Sequence, residues 1–275
     1  MRILALVENL CGHLSCTPAH GLSLYIETDR HRLVLDAGPG EVLMHNAHVL
    51  GVDLRQAEML ILSHGHYDHA DGIPHFAALH PAAPILLRST ASGAYYSGSA
   101  ELGTLHYIGM DPAVEKLSQL EWVDGDLRID EQLSLFGHVE GRRLWPQSNL
   151  RLSRREGERF LQDSFDHEQC LVIHESGKSV LLSGCAHNGI LNILDRYRQL
   201  YGSAPDVVIS GFHMKKTGEY TPEEIDTIRQ TAIELKAWPS LFYTCHCTGT
   251  IAYDIMKEIM GEQLHYLHCG EEITI

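Results

Sequence analysis

MLILSHGHYDH, residues 59–69, decides the reading of this chain. Met59 to Leu62 is a wholly apolar run, the pattern of a strand buried on both faces of a covered sheet. Three histidines and one carboxylate follow within six residues, His64 to His69. If the chain leaves the strand extended, His64 and His66 point to one side, because strand side chains alternate with period two. Asp68 and His69 come where the chain turns into a helix, a second pair of donors aimed across the first. The spacing suits two adjacent divalent cations, and imidazole with carboxylate suits zinc, iron(II) or manganese. A single histidine at a strand end is ordinarily a hydrogen-bonded structural residue; four donors packed this tightly are a different matter.

Outward from that motif, apolar runs bounded by turn residues recur. Strands are predicted near 2–8, 22–28, 31–36, 58–62, 84–88, 170–175, 178–183, 206–210, 241–245 and 264–268. Helical spacing predicts helices over 43–50, 189–200, 221–236 and 251–260. The third opens with Thr221, Pro222, Glu223 and Glu224, an N-cap, a first-turn proline and a capping-box acid. Strands alternating with helices make an α/β protein, with antiparallel pairing at the short links after Thr28 and Glu175. No repeat or low-complexity linker appears, so residues 1–275 read as a single domain. The stretch 89–165 is read as an insertion or lid.

The 275 residues carry 36 acidic and 21 basic side chains and 19 histidines, a formal charge of -15. That balance argues against nucleic acid as a partner, since sequence-independent binding needs clustered Lys and Arg on phosphates. No run approaches the roughly 18 to 20 apolar residues of a membrane span. Neither export nor membrane insertion is legible, and the cytoplasm is the expected compartment. There the seven cysteines are expected as thiols or ligands. No GxSxG elbow, Walker-type loop or strand-following GxGxxG is present, which leaves metal chemistry.

SHGHYDH resembles the HxHxDH motif of the metallo-β-lactamase superfamily, and other landmarks of that superfamily appear in order. LVLDAG places Asp36 at a strand end, SGCAHNG places His187 after another strand, and TCHCTG places His246 late in the chain. The resemblance implies a four-layer αββα sandwich with metals at one edge of the sheets. It further implies that His64, His66 and His187 hold one cation and Asp68, His69 and His246 the other. Zinc is the expected metal, with iron or manganese as alternatives. A cation with three protein ligands and an open position lowers its bound water's pKa to about 7. The segments HGLSLYIET, NAHVLGVDL, Asp163 to Gln169, GFH and HCTG narrow the match to the subgroup labelled dihydropterin synthase-like, whose namesake makes a pterin-aminobenzene ribosyl phosphate.

Two departures stand out. The strand PDVVIS ends in Gly211, Phe212, His213, where dinuclear members place a bridging aspartate. Ala19, His20, Gly21 lacks the glutamate that subgroup members often carry before the HG pair. Asp68, His213 and Asp36 are the catalytic candidates, Asp36 as orienter of ligand imidazoles or, alternatively, a turn former. His213, Lys215 and Lys216 are the substrate-binding candidates, with a structural histidine and a solvated loop as alternatives. Cys185 could face the metals with His187, whereas Cys245 and Cys247 should point away from His246. Arg142, Arg143, Arg151, Arg154 and Arg155 could line a lid. The expected activity is metal-dependent, on a small anionic or phosphorylated molecule, by hydrolysis or diphosphate-releasing transfer. The alternatives are a non-catalytic metal or small-ligand sensor and a generic phosphodiesterase or thioester hydrolase.

Overall fold

A computed structural model describes all residues 1–275. Two seven-stranded sheets face each other. The first runs Glu272–Thr274, Arg2–Val7, Ser23–Glu27, Arg32–Leu35, Met59–Ile61, Ile85–Arg88, Leu120–Val123 across its width. The second runs Leu264–Tyr266, Leu241–Thr244, Val207–Ser210, Lys178–Leu182, Cys170–Glu175, Leu133–Phe136, Leu127–Arg128. All ten strands expected from the sequence are present, as are the antiparallel hairpins after Thr28 and Glu175.

The alternation of each strand builds the layers. Ile3 and Ala5 enter the core between the sheets, while Leu4 and Leu6 pack outward beneath helices Gly40–Val49 and Ile73–Leu79. In the second sheet Val180, Leu182, Val207 and Ile209 face inward. Leu181 and Val208 face helices Ile190–Tyr201, Pro222–Lys236 and Thr250–Met260. Strands apolar at every position are therefore buried on both faces, and the result is the four-layer αββα sandwich. The capping box of Pro222–Lys236 forms as expected, with Thr221 Oγ1 accepting from Glu224 N and the Glu224 carboxylate accepting from Thr221 N.

Residues 89–165 do not behave as one excursion. Leu120–Val123 extends the first sheet beside Ile85–Arg88, and Leu133–Phe136 extends the second beside Cys170–Glu175. Tyr95–Ser97, His106–Tyr107, Leu152–Glu156 and Arg159–Gln162 form a separate four-stranded antiparallel sheet. That small sheet braces the metal-motif loop: Tyr67 N donates to Ile108 O, and Met110 N to Gly65 O, both at 2.9 Å. A Cβ on Gly65 would lie 2.1 Å from Ala91 O, so this approach of the two backbones requires glycine.

Candidate metal centre

Every expected donor leaves the carboxyl end of a strand, where open α/β sheets place their ligands. Arg32–Leu35 and Met59–Ile61 are parallel neighbours, and so are Lys178–Leu182, Val207–Ser210 and Leu241–Thr244. Four of these five exits, all but that of Met59–Ile61, share one device. Asp36, Ala186, His213 and His246 all adopt left-handed backbone, with φ of 59°, 54°, 50° and 47°. Non-glycine residues rarely sit there, and such strained positions gather at functional sites. Each bend turns the following side chains off the sheet and into the edge between the two sheets.

Hydrogen bonds then fix which ring nitrogen of each histidine faces the centre. Asp36 Oδ2 accepts from His69 Nδ1 at 2.6 Å and from Ser63 Oγ at 2.7 Å, while Oδ1 accepts from Ser63 N at 2.7 Å. Ser63 Oγ, having donated its proton, accepts from His64 Nδ1 at 2.9 Å. Asn9 Nδ2 donates to His246 O, so its Oδ1 accepts from His246 Nδ1 at 3.0 Å. Asn149 repeats the arrangement on His187, with Nδ2 to the carbonyl at 2.7 Å and Oδ1 to Nδ1 at 3.1 Å. Buried Glu8 and Glu168 complete the two clamps, accepting from His246 N and His187 N at 2.6 Å. In all four histidines Nδ1 carries the proton and Nε2 presents a lone pair inward.

Those lone pairs face one another. His64 Nε2 and His187 Nε2 are 3.3 Å apart, as are His69 Nε2 and His246 Nε2. Asp68 Oδ2 lies 3.7 Å from His69 Nε2 and 3.3 Å from His246 Nε2. Tetrahedral ligands about 2.0–2.1 Å from zinc are separated by about 3.3–3.4 Å, so these distances are the edges of a coordination polyhedron. His66 packs against His64 and His187, ring centroids 4.6 and 4.8 Å away, and its buried Nε2 has no hydrogen-bond partner. Buried acceptors facing acceptors are costly unless a cation lies among them, and the six residues expected as ligands fit one.

The electrostatics agree. Burial, then the crowd of neighbouring imidazoles, holds His64 and His187 well below the usual histidine range. Burial and His167 bring His66 down to about 3. His69 differs: burial opposes its protonation too, but Asp36 and Asp68 raise it to about 9, so without a cation its Nε2 holds a second proton that a cation would displace. Asp68 is held well below the carboxylate range by His69, His246 and His20 against its burial.

Several contributors escaped the sequence reading. His20 stacks on His246, centroids 5.2 Å apart, and its Nε2 is 3.4 Å from Asp68 Oδ2. It follows Ala19, where subgroup members often carry a glutamate, and that departure was the available signal. Asn9, Asn149 and Glu8 had none, since each acts from a distant part of the chain, whereas Glu168 lies in the Asp163 to Gln169 segment. His167 and Asp163 lie beside His66. They are occupied with each other, His167 Nδ1 accepting from Gly65 N and Nε2 contacting Asp163 at 3.1 Å. Cys245 faces the inter-sheet core, as expected. Cys247 does not point away from the site: its sulfur groups with Cys185 and His213.

Among the substrate candidates, His213 packs on His187 with ring centroids 4.1 Å apart, and its buried Nδ1 lacks a partner. Lys215 is exposed; burial lowers the pKa of His20, with His246 and then Lys215 adding to it against the pull of Asp68. Lys216 instead bonds both oxygens of Glu224, at 3.0 and 2.7 Å. Of the expected lid arginines, Arg143 pairs with Asp195 and Glu234 on the outer helices, and Arg142 stacks over Trp145.

Fold and donor set together are those of the metallo-β-lactamase superfamily, whose model matches residues 16–141 of the chain. The chain is 25% identical to the 7,8-dihydropterin-6-methyl-4-(β-D-ribofuranosyl)-aminobenzene-5'-phosphate synthase of Methanocaldococcus jannaschii, over 99% of this chain and 96% of that protein. It is 24% identical, over 93% of each, to an uncharacterised protein of the same organism. Among solved structures it matches Tm1679, described as a metal-dependent hydrolase of the β-lactamase superfamily. That match has a TM-score of 0.83 at 27% identity, covering 100% of this chain and 99% of the other.

Proposed function

We propose that this chain is an enzyme that uses one or two divalent cations, zinc first and iron or manganese as alternatives, on a small anionic or phosphorylated substrate. The reaction is hydrolysis or a transfer that releases diphosphate. The observation that carries the reading is the pair of Nε2–Nε2 contacts at 3.3 Å, completed by Asp68. When bound, such cations neutralise phosphate oxygens and lower the pKa of water. The chain's own residues supply the rest. Asp36, Asn9 and Asn149 orient the imidazoles. His213 offers an unpartnered buried nitrogen that can hold a proton beside His187. Lys215 presents a point charge near His20 for a substrate phosphate or carboxylate. Lys216, committed to Glu224, serves the helix cap.

Within that class, the synthase relative supports a pterin-type condensation, in which a substrate carbon displaces diphosphate. The acidic charge supports a small molecule over nucleic acid, and no helix of the structure is long and apolar enough to cross a membrane. The cytoplasm is the proposed compartment. The test supplies the purified protein with zinc, iron(II) or manganese and offers phosphodiesters, thioesters, lactones and a pterin diphosphate with its aminobenzene partner. Turnover of one class, with KM raised about tenfold in Lys215→Ala and unchanged in Lys216→Ala, supports the reading. Less than a tenth of an equivalent of transition metal after chelator-free purification would refute it. Ligand binding without any turnover favours the sensor, a reading that the absence of a carboxylate at Gly211 keeps in play.

A further inference from the structure

We infer that the sulfur of Cys185 is the ligand shared by the two cations, in the role that a bridging carboxylate would fill. This rests on the metal-centre reading above. Cys185 Sγ belongs to both donor groups. It lies within 4.8 Å of the ligand nitrogens of His64 and His187 and within 4.8 Å of those of His69 and His246, with 3.3 Å to His69 Nε2. No other side chain joins the two pairs in this way.

The exit of strand Val207–Ser210 explains why sulfur holds the position. Its first residue is Gly211, and a Cβ there would lie 2.4 Å from Cys247 Sγ. The volume that a carboxylate-bearing side chain would enter is filled by that second sulfur. Cys247 itself is tied to the framework, its thiol donating to Cys185 O at 3.4 Å and accepting from His213 N at 3.2 Å. The two cysteines thus divide the work, Cys247 filling space and bracing Cys185, and Cys185 facing the histidines.

Charge points the same way. Asp68 is the sole carboxylate among the expected ligands, against two divalent cations. A coordinating thiol is deprotonated outright, so Cys185 supplies the second negative charge, and its proton leaves to solvent as metal binds. A thiolate also favours zinc and iron(II) over manganese, the harder cation.

Cobalt(II) is the probe. Chelator-stripped wild type reloaded with cobalt is expected to bind two equivalents and show an intense near-ultraviolet sulfur-to-cobalt charge-transfer band. Cys185→Ser loses the band and binds cobalt about 10–100-fold more weakly, whereas Cys247→Ser keeps the band. X-ray absorption of cobalt-loaded wild type and Cys247→Ser needs no Cys185 variant to fold. A shared sulfur gives one sulfur neighbour per cobalt, a terminal one only half. Two bound cobalt ions with half a sulfur or none apiece overturn the bridge while the metal centre stands. A band that survives in Cys185→Ser overturns it equally. Wild type that binds no cobalt overturns the metal centre, and the bridge with it.

Discussion

Asp36→Asn tests how far one carboxylate orients the imidazoles, His69 directly and His64 through Ser63. Asp36 is buried and accepts three hydrogen bonds, from Ser63 N, Ser63 Oγ and His69 Nδ1. An amide of the same shape cannot replace it. With its oxygen toward His69, its NH2 meets the N–H of Ser63, donor against donor. With its NH2 toward His69, Nδ1 must accept, the ring proton moves to Nε2, and the lone pair that should face the cation is gone. The backbone does not confuse the outcome, since asparagine tolerates φ of 59° about as well as aspartate. A charged hydrogen bond is worth about 1.5–3 kcal/mol, and partners of ligand imidazoles typically contribute 10–100-fold to metal affinity, about 1.4–2.7 kcal/mol. The two estimates converge on a 10–100-fold loss at the cation held by Asp68, His69 and His246, with a smaller loss at the other cation through Ser63 and His64. Competition against a chromophoric chelator measures both affinities, and nitrogen NMR of the His69 ring reports the tautomer. Unchanged affinity at both sites, with His69 still protonated at Nδ1, would refute the reasoning.

Asn9→Ala and Asn149→Ala should behave as mirror images: each weakens one cation about tenfold or more and leaves the other, and equal effects on both would contradict the assignment of clamps to sites. Glu168→Gln puts an amide among three donors, His187 N, Asn188 N and Asn188 Nδ2. One buried N–H is left without an acceptor, a cost of about 1–3 kcal/mol, and calorimetry should show Tm lowered by several degrees in the metal-free protein. At the opposite end of the sandwich, His31 contacts Asp130 at 2.7 Å and Glu58 at 3.1 Å. Burial disfavours its charge, but the two carboxylates outweigh burial and raise its pKa above the ordinary value. Its contribution to stability is therefore complete below about pH 6.5 and is lost as pH rises through the folded value. Urea titrations should show that loss in wild type and not in His31→Gln.

The main strands were legible because burial on both faces writes an unbroken apolar run, as in Leu33 to Leu35 or Val207 to Ile209. The candidate metal ligands stood out because chemistry restricts their residue types and the chain crowds four of them into six positions. The small sheet was not. Arg159–Gln162 is exposed throughout, and Leu152–Glu156 is buried only at its first residue, so neither carries a periodic signal. Glu272–Thr274 buries one residue of three and pairs only at the sheet edge. Lys216 misled because a lysine after a strand exit looks the same whether it meets a substrate or the acid of a capping box eight residues on. The clamps were hidden for a different reason: Glu8, Asn9 and Asn149 lie in no motif, and only the closed fold brings them to their histidines.

The clamp on His246 has a consequence for synthesis. Glu8 and Asn9 are made 238 and 237 positions before the histidine they hold. A chain still emerging from the ribosome can assemble the pair His64 and His187 well before it possesses His246. The two halves of the centre are thus available in a fixed order, and the second closes only when residues 238 positions apart meet. Assembly of that clamp is a report that the two sheets have closed on each other.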